Sequence, residues 1–293
     1  MWFFFAVLTS LINAAYYICN QCSEIKANVF IIYRGFLTAI IASPLALIYP
    51  HIFPWQFYAI VIFQGISISY LDYKYFKAFH KFGAENVNAV QPLGIFIIFL
   101  VWLIIKPSMI DLYLATPIKS AIIILSLAGI VYAVMNYHQQ HIGKQCLREL
   151  FPLLLLASLI DITNKLLMNY NDGDLLPITF HRVAFTGWII GIINLFLNYK
   201  KVSLKELIEW KNIRKGSFLI LLVLSMILIN ITMYYAINPA YTTAIIYLSV
   251  VWIILANKLN QHFGKDMPYP HIAFKWIFLL LLSAITLLLA TQQ

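Results

Sequence analysis

Residues 8–13 read LTSLIN, and residues 156–161 repeat them as LASLID. The same offset of 148 residues places Arg34 on Arg182. Each copy is followed by enough apolar segments of membrane-spanning length to make about five helices. Because an odd number of crossings inverts the second copy, the repeat predicts an all-α integral membrane protein with ten transmembrane helices in two inverted five-helix repeats.

The composition is that of a membrane protein. Hydrophobic residues make up 62% of the 293 residues and charged residues only 11%, whereas a soluble domain has about 25% charged residues. Ten helices of about 20 residues leave room for short loops only, so we expect no extramembrane domain. The apolar stretch 1–6 is interpreted as part of a retained first helix, because it lacks the features of a cleaved signal peptide.

Proline residues and polar turn clusters divide the chain into helices and loops. The first repeat is predicted to cover residues 1–135 and the second residues 151–293, with a polar linker at 136–150. The ten predicted helices are 2–19, 28–49, 55–73, 85–105, 117–135, 151–169, 176–198, 217–236, 240–257 and 271–290.

Cysteine and histidine are too sparse to predict a metal site, a cofactor or a disulfide framework. Cys19 and Cys22 form a CxxC pair, but no second pair completes it, and Cys146 is isolated. His138 and His141 lie in the linker, where a solvated loop is the expected environment. The sequence also lacks the HExxH, GxSxG and GxxxxGK[ST] motifs, so we expect neither an enzyme nor an ATP-driven pump.

The basic residues are distributed unevenly between the two sets of predicted loops. The even-numbered loops contain Lys106 and Lys119, and three further basic residues lie within helices. By the positive-inside rule the odd-numbered loops are cytoplasmic and both termini face outward in a cytoplasmic membrane. The net charge of +9 is assigned to anionic lipid headgroups rather than to nucleic acid. The other fifteen basic residues lie near the odd-numbered loops: Lys26, Lys74, Lys77, Lys81, Lys144, Arg148, Lys200, Lys201, Lys205, Lys211, Arg214, Lys215, Lys258, Lys265 and Lys275.

Residues 201–211, between the seventh and eighth predicted helices, alternate apolar and charged side chains at roughly helical spacing. Two interpretations stay open for this segment. It is either a short amphipathic helix on the cytoplasmic headgroups or a solvated basic loop.

The two copies share more than the short motif. YRGF at 33–36 corresponds to HRVA at 181–184, and residues 84–92 form a small-residue stretch after the third helix. With these features the chain resembles the EamA-like ten-helix transporters of the drug/metabolite transporter superfamily. The resemblance implies a central cavity lined by helices one, three and four of each half, and gating by rocking of the halves. Members of that family usually keep their termini in the cytoplasm, whereas the charge distribution here predicts the outside.

Four ionisable residues stand out within predicted membrane helices, where such groups are costly and usually face a cavity or a partner. Asp161 is a candidate proton or cation acceptor; alternatively it pairs with Lys165, four residues later on the same helix. Arg34 and Arg182 either brace their own halves or meet an anionic substrate group, and the structural role is favoured.

Substrate-binding candidates come from the helices that the resemblance places around the cavity. Tyrosine offers a ring face and a hydroxyl, and amides add neutral hydrogen-bonding groups. Pro92 is expected to kink the fourth helix and free a carbonyl near the cavity, whereas the matching place in the ninth helix holds Tyr247. The candidates are Asn13, Tyr16, Tyr70, Gln91, Asp161, Tyr234 and Tyr247.

These features predict a secondary transporter that moves a small polar metabolite, such as an amino acid or related zwitterion, by alternating access. The expected partners are a small-molecule substrate and the lipid bilayer. Two alternatives remain open: a carrier of a nucleotide-like or aromatic cationic solute, and a membrane subunit without transport activity.

Overall fold

Apolar segments of this length form helices because lipid cannot pair free backbone groups. The computed structural model describes residues 1–22, 25–82, 87, 90–137, 144–169, 175–262 and 274–291, and over these it contains helices and no strand. The helices are α1 (Trp2–Cys22), α2 (Ala27–Ile48), α3 (Trp55–Phe82), α4 (Gly94–Ile105), α5 (Ser108–Ala115), α6 (Pro117–Tyr137), α7 (Lys144–Met168), α8 (Leu175–Asn198), α9 (Leu204–Ile208), α10 (Trp210–Gly216), α11 (Leu219–Tyr235), α12 (Pro239–Ile246), α13 (Ser249–His262) and α14 (Phe274–Thr291), and a 3₁₀ turn, Gln91–Leu93, precedes α4.

Seven helical segments in the described part of the chain are long and apolar enough to cross a membrane. An eighth is formed if α4 and α5, which are bent by 108° at their junction, count as one broken span. The protein therefore has the helices of a multi-pass membrane protein. The seven segments are Trp2–Asn20, Ala27–Ile48, Pro117–Asn136, Lys144–Met168, Leu175–Asn198, Trp210–Tyr235 and Pro239–Ala256.

Length and hydropathy therefore identify seven or eight membrane-spanning segments in the described residues, fewer than the ten that the sequence predicts. Of the ten predicted helices, α3 and α14 are the two that fall outside the set. The last third of α3 carries Asp72 and several lysines, and the apolar part of α14 is short, at Lys275–Thr291.

Helix boundaries differ from the predicted ones at several places. Helix α3 continues past the predicted end at residue 73, to Phe82, and α5 lies in the predicted loop after the fourth helix. Pro92 lies in the 3₁₀ turn directly ahead of α4, and Val90 before the turn is also helical, so the regular α-helix is interrupted at this proline. The ninth predicted helix is interrupted after Ile246, where Tyr247 ends α12. Helix α7 begins at Lys144 and so takes up half of the predicted linker. His138 and His141 lie outside the described residues, as does most of 83–89.

The most extensive helix contact in the described part of the chain is between α2 and α8. A Cβ atom added to Gly35 would lie 2.1 Å from the backbone nitrogen of Gly191, and one added to Gly187 would lie 2.7 Å from the backbone nitrogen of Ala39. Small residues at these positions let the two backbones touch, which is a common way for membrane helices to associate.

The remaining helices pack around this pair. Helix α1 contacts α11, α12 and α13, while α7 contacts α3 and α4. Helix α6 lies along α14, where the Ser126 and Thr286 hydroxyls are 2.8 Å apart. The largest apolar core forms between α4, α6, α12 and α14 and includes Trp102 and Ile130.

Residues 201–211 are helical but not one continuous helix. The Ser203 hydroxyl accepts the Glu206 amide at 3.2 Å and begins α9, and α10 follows after an extended residue, Glu209. The hydroxyl of Tyr33 donates to the Leu207 carbonyl at 2.5 Å, which fixes the segment to α2. Two apolar side chains remain exposed, Ile208 at 74% and Trp210 at 75%.

Candidate functional site

Arg182 on α8 is the centre of a buried polar network. Its side chain is only 4% exposed. Its Nε donates to Oε1 of Gln64 at 2.9 Å, and its Nη1 donates to Oδ1 of Asn230 at 2.6 Å. Both acceptors are neutral amides, so these bonds hold α8 to α3 and α11 without neutralising the guanidinium charge.

The network continues to α7. Gln64 Nε2 donates to the Thr163 hydroxyl at 3.0 Å, and that hydroxyl donates in turn to the Ile160 carbonyl at 3.0 Å. At the opposite edge, the buried Nδ2 atom of Asn230 has no hydrogen-bond partner among the described residues. A donor of this kind beside a guanidinium favours a negatively charged group.

Asp161, also on α7, is half-buried. One carboxylate oxygen accepts a hydrogen bond from the Thr243 hydroxyl on α12 at 3.1 Å, and the carboxylate interacts electrostatically with Arg182. The second half therefore holds an acid and a guanidinium whose hydrogen bonds are to neutral groups.

The predicted alternative of an Asp161–Lys165 ion pair is wrong. Lys165 Nζ donates to the carbonyls of Met233 at 2.6 Å and Tyr234 at 3.2 Å. Spacing by four residues permits such a pair, but the carbonyls at the end of α11 accept from the ammonium, while the carboxylate turns to α12.

The first half contains a different arrangement. Arg34 on α2 forms an ion pair with Asp72 on α3, and both side chains are largely buried. The sequence predictions missed Asp72, although it lies inside the predicted helix 55–73 and an acid within a membrane helix is itself a signal. Tyr16 and Tyr17 on α1 interact electrostatically with Arg34.

The polar residues of the repeated motif are used to pack helices. The Ser10 hydroxyl on α1 accepts from Trp252 Nε1 on α13 at 2.8 Å, and the Ser158 hydroxyl on α7 donates to the Gly94 carbonyl at 3.4 Å. Asn13 accepts from the Ser225 hydroxyl on α11 at 2.5 Å. The side-chain oxygen of Asn13 therefore accepts a hydrogen bond between two helices, α1 and α11.

Among the predicted substrate residues, the structure links Asp161 and Tyr247. Tyr247, at the break between α12 and α13, is half-buried and interacts electrostatically with Asp161 and with Tyr17. Tyr17, on α1, is 45% exposed.

The other predicted tyrosines and Gln91 have different surroundings. Tyr70 is 47% exposed, with the Lys74 ammonium 5.3 Å from its ring centre. Tyr16 packs on Phe218, with ring centres 5.8 Å apart. The remaining two also lie apart from the Asp161 contacts: Tyr234 stacks edge-on against Tyr235 at 5.1 Å, and Gln91 is half-buried at the 3₁₀ turn.

A separate cavity of about 140 Å³ lies beneath α5, between α6, α12 and α14. Its walls are mainly apolar, and its two tyrosines, Tyr113 and Tyr241, hydrogen-bond to each other at 2.5 Å. Lys119 lies at its edge. Among the described residues, none of those lining this cavity donates a side-chain hydrogen bond to Asp161 or accepts one from Arg182.

The part of the chain that the structure describes contains no group of three or more His, Cys, Asp or Glu side chains able to hold a metal ion. No protein-family model matches the chain, and no curated protein matches it. The function must therefore be inferred from the residues themselves.

Proposed function

We propose that the protein is a secondary transporter built as two inverted five-helix repeats, similar to the EamA-like members of the drug/metabolite transporter superfamily. Its substrate is a small zwitterion of the amino-acid class, carried by alternating access across the cytoplasmic membrane. The observation that carries the proposal is the presence of Arg182 and Asp161, two opposite charges whose side-chain hydrogen bonds to other described residues all go to neutral groups.

The exchange of packing partners between the two halves supports the inverted repeat. If the helices of each half are numbered one to five, α1 and α7 are the first of their halves. Helix α1 packs on the third and fourth helices of the second half, and α7 packs on the third and fourth helices of the first. The second helices, α2 and α8, pack on each other, as do the fifth helices, α6 and α14. A two-fold relation between the halves produces this pattern.

Hydrogen bonds follow the same exchange. Ser10 and Ser158 are repeat partners, and each bonds to the fourth helix of the opposite half. Asn13 on α1 and Thr163 on α7 each bond to the third helix of the opposite half. Equivalent bonds made by different residues are expected when two halves share a backbone arrangement rather than a sequence.

The charges of the second half support a zwitterionic substrate. In the first half, the Arg34–Asp72 pair is already neutralised by direct contact. In the second half, Arg182 is held by two amides and Asp161 by one hydroxyl. Isolated charges in a membrane protein are costly and are kept where they act. A carboxylate bound beside Arg182 and Asn230 and an ammonium bound beside Asp161 compensate both charges.

A thermal-shift screen of the purified protein in detergent tests this proposal, because a ligand that binds the folded state raises the unfolding temperature. The library contains amino acids, organic cations, nucleotides and sugars. We expect stabilisation by amino acids, and its loss in both Asp161→Asn and Arg182→Gln. The matched control is Asp111→Asn, which removes an exposed acid on α5 and should leave the response unchanged.

The other outcomes of the screen are informative. Stabilisation by nucleotides or by aromatic cations alone would replace the amino-acid proposal with the carrier of such solutes. Absence of any response, with well-folded protein, would contradict the zwitterion site and favour a membrane subunit without transport activity.

A further inference from the structure

Lys165 is a buried cation that binds backbone carbonyls rather than an acid. It lies on α7, one turn after Asp161, and is only 4% exposed. The ion pairs among the described residues are Lys26–Glu206, Arg34–Asp72 and Lys81–Glu149, and Lys165 takes part in none of them. Its ammonium contacts two backbone carbonyls instead.

These carbonyls are free because α11 ends there. In a continuing helix, Met233 and Tyr234 would accept from the amides four residues later. Ala236 is instead extended, with φ −77° and ψ 133°, which turns the chain away before those amides, and Asn238 then caps the start of α12. The end of a helix carries a partial negative charge, so the ammonium of Lys165 binds the negative end of α11.

The same junction is held from a second side. Trp102 on α4 donates its Nε1 hydrogen to the Ile237 carbonyl at 3.1 Å. The α11–α12 junction is thus closed by one neutral donor, Trp102, and one ionisable donor, Lys165. Only the second contact can be switched by a proton.

No carboxylate on the neighbouring helices offsets the charge of Lys165. The helices packed against α7 are α3, α4, α8, α11 and α12, and of these α4, α11 and α12 contain no acidic or basic residue. The cation Lys106, just after α4, acts on Lys165 electrostatically. The other ionisable groups of these helices, counted in α3 as far as Asp72, have their own surroundings. These are Asp72, which pairs with Arg34; Arg182, which binds amides; His181, 3.0 Å from the Tyr49 carbonyl; Tyr241, which bonds to Tyr113; Tyr234 and Tyr235, which stack on each other; Tyr58, which packs edge-on against Phe57 and Phe185; and Tyr70, whose ring centre lies 5.3 Å from the Lys74 ammonium.

We propose that Lys165 is the site at which this transporter binds a proton, and that its ammonium form holds the α11–α12 junction closed against α7. This rests on the transport function proposed above. The proton adds to the lone pair of Nζ and leaves from it to solvent, so no other bond changes. A neutral amine still donates hydrogen bonds, but it loses the attraction between its charge and the carbonyl dipoles. A group that interacts differently with two conformations shifts the population between them.

The test measures the junction directly, without a substrate. Spin labels at Leu159→Cys on α7 and Tyr235→Cys on α11, both exposed positions, report the distance between α7 and the end of α11 in reconstituted protein. The distance distribution is recorded between about pH 6 and about pH 9, which brackets the physiological range. The labelling sites are introduced into a variant in which the three native cysteines, Cys19, Cys22 and Cys146, are replaced by serine.

We expect the labelled protein to shift to a longer mean distance as the pH rises. Lys165→Met removes the charge and should give the long distance at every pH. Lys165→Arg keeps the charge and should give the short distance at every pH. Lys106→Met, which removes the nearby exposed cation, should keep the pH-dependent shift and move it to higher pH, because one like charge near Lys165 is lost.

Two results would overturn the proposal: no shift in the parent protein, or a shift that persists in Lys165→Met. If Lys165→Met elutes as aggregate, Lys165→Arg still decides, since a persistent pH-dependent shift in that variant also excludes Lys165. A shift that depends on Lys165 in a protein that binds no solute in the thermal-shift screen would separate the proton site from the proposed substrate.

Discussion

At the scale of single residues, the Arg34–Asp72 ion pair joins α2 to α3 within the first half. Asp72→Asn should destabilise the protein by about 3 kcal/mol, because it leaves a largely buried guanidinium without its counter-charge. The double variant Arg34→Met/Asp72→Leu should recover most of the loss, since no isolated charge remains. Unfolding temperatures of the single and double variants in one detergent measure this cycle.

The exposed pair Lys81–Glu149 provides the control for that cycle. An exposed pair contributes about 0–1 kcal/mol, so Lys81→Ala should change the unfolding temperature little. An equal loss in Lys81→Ala and Asp72→Asn would contradict the distinction between the two pairs.

Arg182 carries a second prediction at this scale. Arg182→Lys keeps the charge but loses the planar fork that donates to Gln64 and Asn230 together. We expect a loss of about 1–3 kcal/mol in stability, because at least one buried amide oxygen is left unpaired. The exposed Arg214→Lys is the matched control, and thermal unfolding that is equal for both variants would argue against the network.

The repeat in the sequence identified the residues of the candidate site better than it identified their partners. Arg34, Asp161 and Arg182 stand out because charges within apolar segments are rare. Their partners, such as Gln64, Asn230 and Thr243, come from helices whose rotation about their own axes is set by packing, so sequence spacing does not reveal them. The Asp161–Lys165 pair was predicted from spacing within one helix and failed for that reason.

At the scale of helices, the contact of α2 with α8 depends on small residues. Gly35→Val should strongly destabilise the fold, because even its first carbon would lie 2.1 Å from the backbone of Gly191. Backbone atoms cannot move aside as a flexible side chain can. Gly94→Ala is the control, since its nearest neighbour is the Ser158 hydroxyl at 3.3 Å. Yield of monodisperse protein and unfolding temperature compare the two variants.

The α9–α10 segment is held to α2 by two contacts that can be removed singly. Tyr33→Phe deletes the bond to Leu207, and Lys26→Ala deletes the 2.6 Å ion pair with Glu206. We expect faster tryptic cleavage after Lys205 and little change in unfolding temperature, because the segment lies outside the main helix packing. Cleavage at the parent rate in both variants would contradict this anchoring.

The Lys26–Glu206 contact also has a defined pH dependence. The hydrogen bond to the Glu206 carboxylate raises the pKa of Lys26. A raised pKa means that the contact is fully present below the ordinary lysine pKa and is lost as the pH rises through the raised value. Because Lys26 is exposed, added salt should weaken the contact as well.

At the scale of the whole molecule, the ten apolar segments of the sequence all appear as helices, because length and hydropathy decide helix formation in lipid. The breaks after Ile246 and ahead of α4 were not predicted, since each depends on how the chain ends pack against neighbouring helices. Length and hydropathy also leave α3 and α14 short of the spanning criteria. The number of crossings is therefore best determined by measuring on which side of the membrane each loop lies.

Reporter fusions test the inverted repeat through this relation. Five crossings in each half place the connection between α6 and α7 on one side of the membrane and both termini on the other. The excess of basic residues near the odd-numbered loops predicts that this connection is cytoplasmic. Alkaline phosphatase fused after Gln293 or before Met1 should be active outside the cytoplasm, and a fluorescent protein inserted between α6 and α7 should fluoresce inside. Termini on opposite sides would require an odd total and exclude two equal halves, whereas two cytoplasmic termini with an external connection would keep the inversion and reverse the orientation.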